Sequence, residues 1–502
     1  MKSQETTSHR PPIVAVMGHI DHGKSTLLDY IRSTNTTNKE AGGITQRMSA
    51  YKVLKKNSEG KELSITFLDT PGHESFKALR ARGTQVADIA ILVVAADEGV
   101  KPQTIEALNS IKEAGLPFIV AINKIDRPNA NIDRTKQNLA EHEIFVEGWG
   151  GDVSCVPVSA ITGEGVSDLL DMILLLAEIL DLKTNTNKRA EGIIIEAQNS
   201  KTKGIIATLI VKDGMLKSGD CIVCDETFAP TRIMEDFGGR NIKEAYASDP
   251  VRIVGFSELP PVGAPFVVCD SKKEAEKICE ICRLKKTRGE THEEIGGENK
   301  ESITIPLIIK ASTTDVIEAI IHEIQKIKND RVALRIISKS VGFISENDIK
   351  LALTKEGSVI LGFDTVLDPN AKALAERNNT TVQIFNIIYK LAEWLETFML
   401  EHTPKMKSEE IRGRVKVLKF FSRTKDKQVT GCRVENGLLS VGDEVRIIRR
   451  DVEIGKGKIK ALQQMKNEVK EVKEVNECGV MIESKFEVAP GDYLESFSIV
   501  YK

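Results

Sequence analysis

The stretch PIVAVMGHIDHGKSTLLDY (residues 12–30) decides the fold. An apolar run ends in a loop bounded by Gly18 and Gly23, and the loop opens into a segment of helical period. GHIDHGKS fits G-x-x-x-x-G-K-[ST] in the strand–loop–helix setting that the motif requires. The glycines let the backbone curl so that several N–H groups converge, and the positive end of the helix adds to them. The result is a nest for two phosphates, to which Gly18, His19, Ile20, Asp21, His22, Gly23, Lys24, Ser25 and Thr26 are assigned. Lys24 is placed to bridge the outer phosphate oxygens, and the Ser25 hydroxyl suits Mg2+. By itself the loop does not separate ATP from GTP.

Working outward, further apolar runs alternate with amphipathic stretches as far as residue 182: SITFLDT, IAILVVAAD, PFIVAINK and VSCVPVSA. Near-continuous apolar strands with helices between them predict a parallel sheet covered on both faces, a doubly wound α/β domain over 12–182. Ligands of such sheets sit beyond the carboxyl ends of the strands, so residues at those ends carry the chemistry. NKID ends one strand: Asp126 can accept from both N1–H and the 2-amino group of guanine, which adenine cannot match. The Lys124 stem can lie along the base, Ile125 completes the turn, and Asn123 can tie this loop to the phosphate loop. Ser159 and Ala160 end the next strand, where a backbone N–H can meet the guanine O6.

DTPGHESF (residues 69–76) ends another strand. Asp69 can hold Mg2+ through a water, Thr70 and Pro71 form the turn, and Gly72 can offer its N–H to the γ-phosphate. His73 stands where many switch GTPases carry a water-orienting glutamine. It either orients the attacking water or caps the helix that follows. EAGGITQR (residues 40–47) supplies a flexible segment in which Thr45 can complete the Mg2+ shell, a loop that orders with GTP and relaxes after hydrolysis.

The remaining chain is modular. Residues 1–11 are a short tail, and the polar stretch 182–192 reads as a linker. Residues 190–270 hold short β runs with glycine turns, a β-barrel, and 271–301 read as a helix and a charged linker. Residues 302–385 alternate strand and helix, a smaller α/β domain; 386–403 are a connecting helix, and 411–502 a second β-barrel. At an offset of 223 residues, Val211, Gly214, Leu216, Gly219 and Asp220 meet Val434, Gly437, Leu439, Gly442 and Asp443, marking the two barrels as related.

The composition, 41% apolar and 28% charged over 502 residues, is that of a globular chain of several domains. No apolar run approaches the roughly 20 residues of a membrane span. The amino-terminal residues lack a signal core, so a cytoplasmic monomer without membrane contact is expected. The net charge is −3, yet residues 411–460 hold 14 Lys/Arg against 6 Asp/Glu. Such a basic module on an acidic body fits a phosphate backbone, although a well-solvated barrel surface would look the same. Two C-x-x-C pairs, Cys221/Cys224 and Cys279/Cys282, are separated by 54 residues, far beyond the about 15–20 of a zinc ribbon, so free thiols are expected.

GHIDHGKSTLLD, EAGGITQ, DTPGHESF, VVAADEGVKPQT and NKID together resemble the translational GTPases. Within them the chain is similar to bacterial-type translation initiation factor two. The resemblance continues through GMLKSGD, IISKSVGFISENDIKLA, FNIIYKLAEW, GCRVENGLL and NECGV, and covers residues 12–498. It implies a GTPase using GTP/GDP and Mg2+ that brings formylmethionyl initiator tRNA to the small ribosomal subunit. It further implies promotion of large-subunit joining, and release after hydrolysis stimulated by the ribosome. On this resemblance His73 is the water-orienting catalytic histidine, and Cys432, Glu477, Cys478 and Gly479 hold the formylmethionyl end. Three departures stand out. Many members carry a long region before the first strand, where this chain has about ten residues, and no contact assigned to that region carries over. Gln463, Gln464 and Met465 stand where the family has a basic and aromatic run, and Ile161 where lysine is frequent. Elongation or tRNA-delivery GTPases share the engine but end in other domain orders. A GTP-binding scaffold with a protein-binding last barrel is the alternative of a different class.

Overall fold

The computed structural model describes residues 7–32, 45, 48–56, 60, 62–200, 202–286, 303–327, 332–403, 407–465 and 467–501. Most of the tail, the EAGGITQR segment apart from Thr45 and the greater part of the charged linker lie outside the described residues. The chain forms two units, Met1–His402 and Thr403–Lys502.

The first unit begins with β1 (Thr7–His9), β2 (Ile13–Gly18), α1 (Lys24–Arg32), β3 (Ser49–Lys56) and β4 (Glu62–Asp69). A 3-10 turn (Glu74–Phe76), α2 (Lys77–Val86), β5 (Ile89–Ala95), α3 (Pro102–Glu113) and β6 (Phe118–Asn123) follow. Then come α4 (Ile132–Glu141), β7 (Cys155–Pro157), α5 (Val166–Ile179) and β8 (Lys183–Asn185). The sheet order is β3-β4-β2-β5-β6-β7, parallel throughout except for β3 against β4. One face packs Leu27 of α1 and Leu169 and Ile173 of α5; the other packs Leu79 of α2, Ile111 of α3 and Leu139 of α4. This is the doubly wound arrangement expected from the continuous apolar strands.

The antiparallel edge strand β3 was not anticipated. Its sequence SAYKVLKK carries three lysines and buries only Tyr51 fully, as suits an edge that must resist pairing with other chains. The polar stretch read as a linker also contains β8, which pairs with β1 from Thr7↔Asn185 to His9↔Lys183.

Next come β9 (Glu191–Ser200), β10 (Gly204–Asp213), β11 (Met215–Lys217), β12 (Cys221–Cys224), β13 (Thr227–Pro230) and β14 (Ile233–Glu235). They are followed by β15 (Glu244–Tyr246), β16 (Pro250–Val254), β17 (Pro265–Cys269) and α6 (Lys272–Lys286). Seven of these strands form one antiparallel sheet in the order β13-β12-β17-β9-β10-β16-β14. Its two end strands are consecutive in the chain, and all seven line a single core around Ile194, Leu209, Ile222, Ile253 and Phe266. The sheet therefore coils into a barrel closed by a short chain segment rather than by a ladder. Within β12, Ile222 and Cys224 face that core, whereas Cys221 and Val223 face outward against Cys269, Ala275 and Cys279.

The unit ends with β18 (Ile303–Ala311), α7 (Thr314–Lys326), β19 (Val332–Val341), α8 (Glu346–Leu353), β20 (Val359–Phe363), α9 (Pro369–Arg377), β21 (Thr381–Phe385) and α10 (Ile388–Glu401). The sheet is parallel, in the order β19-β18-β20-β21. Helix α10 does not bridge solvent: Ile388, Leu391, Leu395 and Met399 are buried, and Trp394 and Phe398 pack against the same core.

The second unit holds β22 (Lys407–Thr424), β23 (Lys427–Ser440), β24 (Glu444–Arg449), β25 (Val452–Gln464), β26 (Asn467–Val469), β27 (Glu471–Lys473), β28 (Glu477–Glu483) and β29 (Tyr493–Tyr501). Its main ladder runs β22-β29-β24-β25-β28-β23, and β23 pairs again with β22, so this barrel closes by hydrogen bonds.

Candidate functional site

The carboxyl ends of β2, β4 and β6 open onto one cleft of ≈ 480 Å³. Of the residues assigned from sequence, Ile20, Asp21, Gly23, Lys24, Ser25, Thr26, Thr45, Gly72, His73, Asn123, Lys124, Asp126 and Ala160 line it. Gly18, His19, His22, Asp69, Thr70, Pro71, Ile125 and Ser159 stand behind this lining and shape it.

Close packing explains the residue types. A Cβ at Gly72 would lie 2.5 Å from the Lys24 ammonium and 3.3 Å from the Ile20 nitrogen, so any larger residue there would push Lys24 out of its place beside the DTPG turn. Lys24 is almost fully buried and donates to the His19 carbonyl at 2.6 Å. Burial pushes its pKa down to about 8, with Asp69 pulling the other way; an anion in the cleft would restore the charge. The His22 ring is fully buried, and burial followed by the neighbouring His19 lowers its pKa to about 3, so it stays neutral. Thr70 turns inward and donates to the Val16 carbonyl.

Three hard oxygen donors meet beside the loop. Ser25 Oγ lies 2.6 Å from Thr45 Oγ1, which in turn donates to Asp69 Oδ2 at 3.2 Å. Hydroxyl, hydroxyl and carboxylate from three separate segments are the donor chemistry that Mg2+ selects.

Asn123 joins the two halves of the cleft. Its Nδ2 donates to the His22 carbonyl at 2.9 Å, and its Oδ1 accepts from the Ala160 N–H at 3.0 Å. Asp126 is exposed to the cleft, with Oδ1 fixed by the Ser159 hydroxyl at 2.6 Å. The Lys124 ammonium leans toward Glu98 and Asp97.

His73 caps the turn that follows it: its Nδ1 accepts from the Ser75 N–H at 3.0 Å. Burial lowers its pKa, opposed next by Glu323. Sequence reasoning missed what surrounds it. Arg80, completely buried, donates to the carbonyls of Pro71 and His73 and pairs with Glu106 at 2.6 Å. Gln103 accepts from the Ile20 N–H at 3.1 Å. The PQT triplet held that signal, but a glutamine at a helix start has no chemistry of its own to declare.

In the second unit, Cys432 and Cys478 are direct cross-strand partners and both are buried in the barrel core. Burial raises their thiols, to about 12 and about 11. Glu477 is exposed, and Gly479 pairs with Gln463 on β25. Met465, at the β25–β26 turn, is 91% exposed. Among the described residues no group of three or more His, Cys, Asp and Glu is arranged to hold a metal ion, and no helix is long and apolar enough to cross a membrane.

Comparison with known families agrees with this geometry. Residues 9–178 match the elongation factor Tu GTP binding domain, 189–269 elongation factor G domain 2, 282–396 translation-initiation factor 2, and 427–493 elongation factor Tu domain 2. The fold and site define a GTP-binding GTPase domain of the translation-factor class. The relatives narrow this further. The chain is 44% identical over 503 residues to translation initiation factor IF-2 of Aquifex aeolicus (strain VF5), covering 98% of this chain and 62% of that protein. It is 44% identical over 508 residues to that of Caldanaerobacter subterraneus subsp. tengcongensis, covering 99% and 71%, and 44% identical to that of Bacillus cereus (strain AH187), covering 98% and 72%. The chain belongs to the translation initiation factor IF-2 family. It spans between about half and three quarters of the length of its curated relatives (51% to 72%). A crystal structure of GDP-bound aIF5B from Aeropyrum pernix aligns with a TM-score of 0.47 at 28% identity, over 97% of this chain and 92% of that one.

Proposed function

We propose that this chain is a GTP-hydrolysing initiation factor that delivers formylmethionyl initiator tRNA to the small ribosomal subunit, promotes subunit joining and leaves after hydrolysis. The observation that carries the reading is the convergence of Lys24, the Ser25–Thr45–Asp69 oxygens, Gly72 and Asp126 on one cleft of a chain belonging to the IF-2 family. The backbone of the phosphate loop and Lys24 bind the phosphates, and Asp126 with the Ala160 end of β7 selects guanine. Ser25 and Thr45 would ligate Mg2+, with Asp69 acting through a water; bound there, the ion neutralises charge on the outer phosphates. Gly72 offers its N–H to the γ-phosphate, and His73 orients the attacking water once freed from its cap on Ser75.

The second barrel grips the aminoacyl end through the outward-facing Glu477 and Gly479, backed by Cys432 and Cys478 in the core beneath. Its cations meet the RNA backbone. Binding of formylated and unformylated initiator tRNA to the full chain, across a salt titration, tests this. Preference for the formylated form with a steep fall in affinity at higher salt supports the reading; equal, salt-insensitive binding sinks it.

A further inference from the structure

Helix α7 of the small α/β domain lies along the DTPGHESF turn and the helix after it. Arg82 of α2 pairs with Asp315 and Glu318 at one end of α7, and at the other Lys326 reaches Glu74 at 3.3 Å. Between these ends, Glu323 Oε1 accepts a 2.6 Å hydrogen bond from the Ser75 hydroxyl, and Lys326 holds the same oxygen at 3.0 Å. On the opposite flank the Tyr389 ring, second residue of α10, packs edge-on against the His73 imidazole with 4.3 Å between centroids.

These contacts pin the imidazole. The Ser75 N–H donates to His73 Nδ1, and Ser75 Oγ, which Glu323 holds by a hydrogen bond, touches the same nitrogen. Nδ1 is thereby occupied by Ser75, and the Tyr389 ring packs against the imidazole beside it.

We propose that Glu323 and Tyr389 are positioning residues for His73: they hold its imidazole on Ser75 and thereby keep GTP hydrolysis low until the small α/β domain shifts. This rests on the reading of His73 as the water-orienting group. Relieving the clamp needs no unfolding, only loss of one aromatic contact and one carboxylate hydrogen bond. The small domain therefore restrains the engine directly.

The test uses the full chain. Nitrogen-15 spectra of labelled histidine, with His73 assigned through His73→Ala, should show the same ring signals in the wild type and in Tyr389→Phe, which keeps the aromatic ring. In Tyr389→Ala and Glu323→Gln those signals should move. Without ribosomes, phosphate release should be about tenfold faster in Tyr389→Ala and Glu323→Gln, with GTP affinity within about twofold of wild type. Tyr389→Phe should match the wild type, and adding His73→Ala to Tyr389→Ala should abolish the gain. Unchanged basal rates in both variants, a gain that survives loss of His73, or ring signals unmoved in both variants would each overturn the proposal. If His73→Ala alone leaves ribosome-stimulated turnover intact, the parent reading fails, and the ring signals still decide whether the clamp exists.

Discussion

Asn123 Nδ2 donates to the carbonyl oxygen of His22 across 2.9 Å, joining the NKID strand end to the GHIDHGKS loop. The same side chain accepts from Ala160, so three loops share one buried amide. Asn123→Ala removes both bonds and leaves the His22 carbonyl and the Ala160 N–H without this partner. Each such loss costs about 1–3 kcal/mol. GTP and GDP affinities should therefore fall together, by about tenfold to a hundredfold, in calorimetry. A loss confined to GTP would mean that Asn123 acts through the γ-phosphate instead.

Asp126 is open to the cleft and oriented by Ser159, and on the proposed reading its carboxylate meets the donors of the guanine edge. Asp126→Asn exchanges one acceptor for a donor, which clashes with guanine N1–H and suits the 2-oxo group of xanthine. Guanine nucleotide affinity should drop by at least about a hundredfold, with xanthine nucleotide binding gained. Unchanged guanine affinity would reject the base assignment.

His73→Ala should bind GTP as the wild type does yet lose ribosome-stimulated phosphate release by about 10²–10⁴-fold, the range of a positioned acid–base group. The variant also loses the cap on Ser75, so its helical content and melting temperature must be recorded beside turnover. A large loss of stability with full stimulated turnover would leave His73 as a cap alone.

The convergence of these motifs on one cleft was legible because each motif is local. GHIDHGKS, DTPG and NKID each sit on one strand end, and parallel order brings those ends together. Arg80, Glu323 and Tyr389 were not legible, because their partners are 7, 248 and 316 positions away and only packing selects them. Edge strand β3 hid behind its lysines, and β8 behind a polar stretch whose partner is at the amino-terminal end. The direction of the second unit's cysteines was also closed to sequence. Cys432 and Cys478 fall on the inner face of a barrel whose strand register is set by distant pairing.

Asp88 joins the nucleotide domain to the first barrel. It accepts from Arg10 at 2.6 and 2.7 Å, from the Ile13 N–H and from Lys212 of the barrel strand β10. Burial raises its pKa, but the Arg10 hydrogen bond and the charges of Lys212 and Arg10 outweigh that and hold it below the ordinary carboxylate value. With the folded pKa depressed, its contribution is complete above the unfolded value of about 3.9 and is lost as pH falls through the lower folded one. Asp88→Asn leaves Arg10 without its buried carboxylate and should cost about 3 kcal/mol near neutral pH. Thermal scans should show the difference between variant and wild type shrinking below about pH 4; a constant difference would mean that charge is not what Asp88 contributes.

The 223-residue repeat extends to atoms. Gly214 and Gly437 share φ values of +79° and +78°, and a Cβ on either would strike the carbonyl oxygen of Arg189 or Arg412, themselves 223 residues apart. Asp220 and Asp443 each accept from the backbone N–H three residues earlier, at 2.8 and 2.9 Å. Gly219 and Gly442 also have positive φ, at +103° and +99°, but nothing lies near their Cβ positions. Gly219→Ala and Gly442→Ala should therefore cost only backbone strain, about 1–2 kcal/mol, whereas Gly214→Ala and Gly437→Ala add a backbone collision and should cost more. Because each turn belongs to its own barrel, limited proteolysis with mass spectrometry should find new cuts near residues 185–250 for Gly214→Ala and near 410–475 for Gly437→Ala. Equal tolerance of alanine at all four positions would mean that the repeated turn is a coincidence of hairpin chemistry rather than a shared fold.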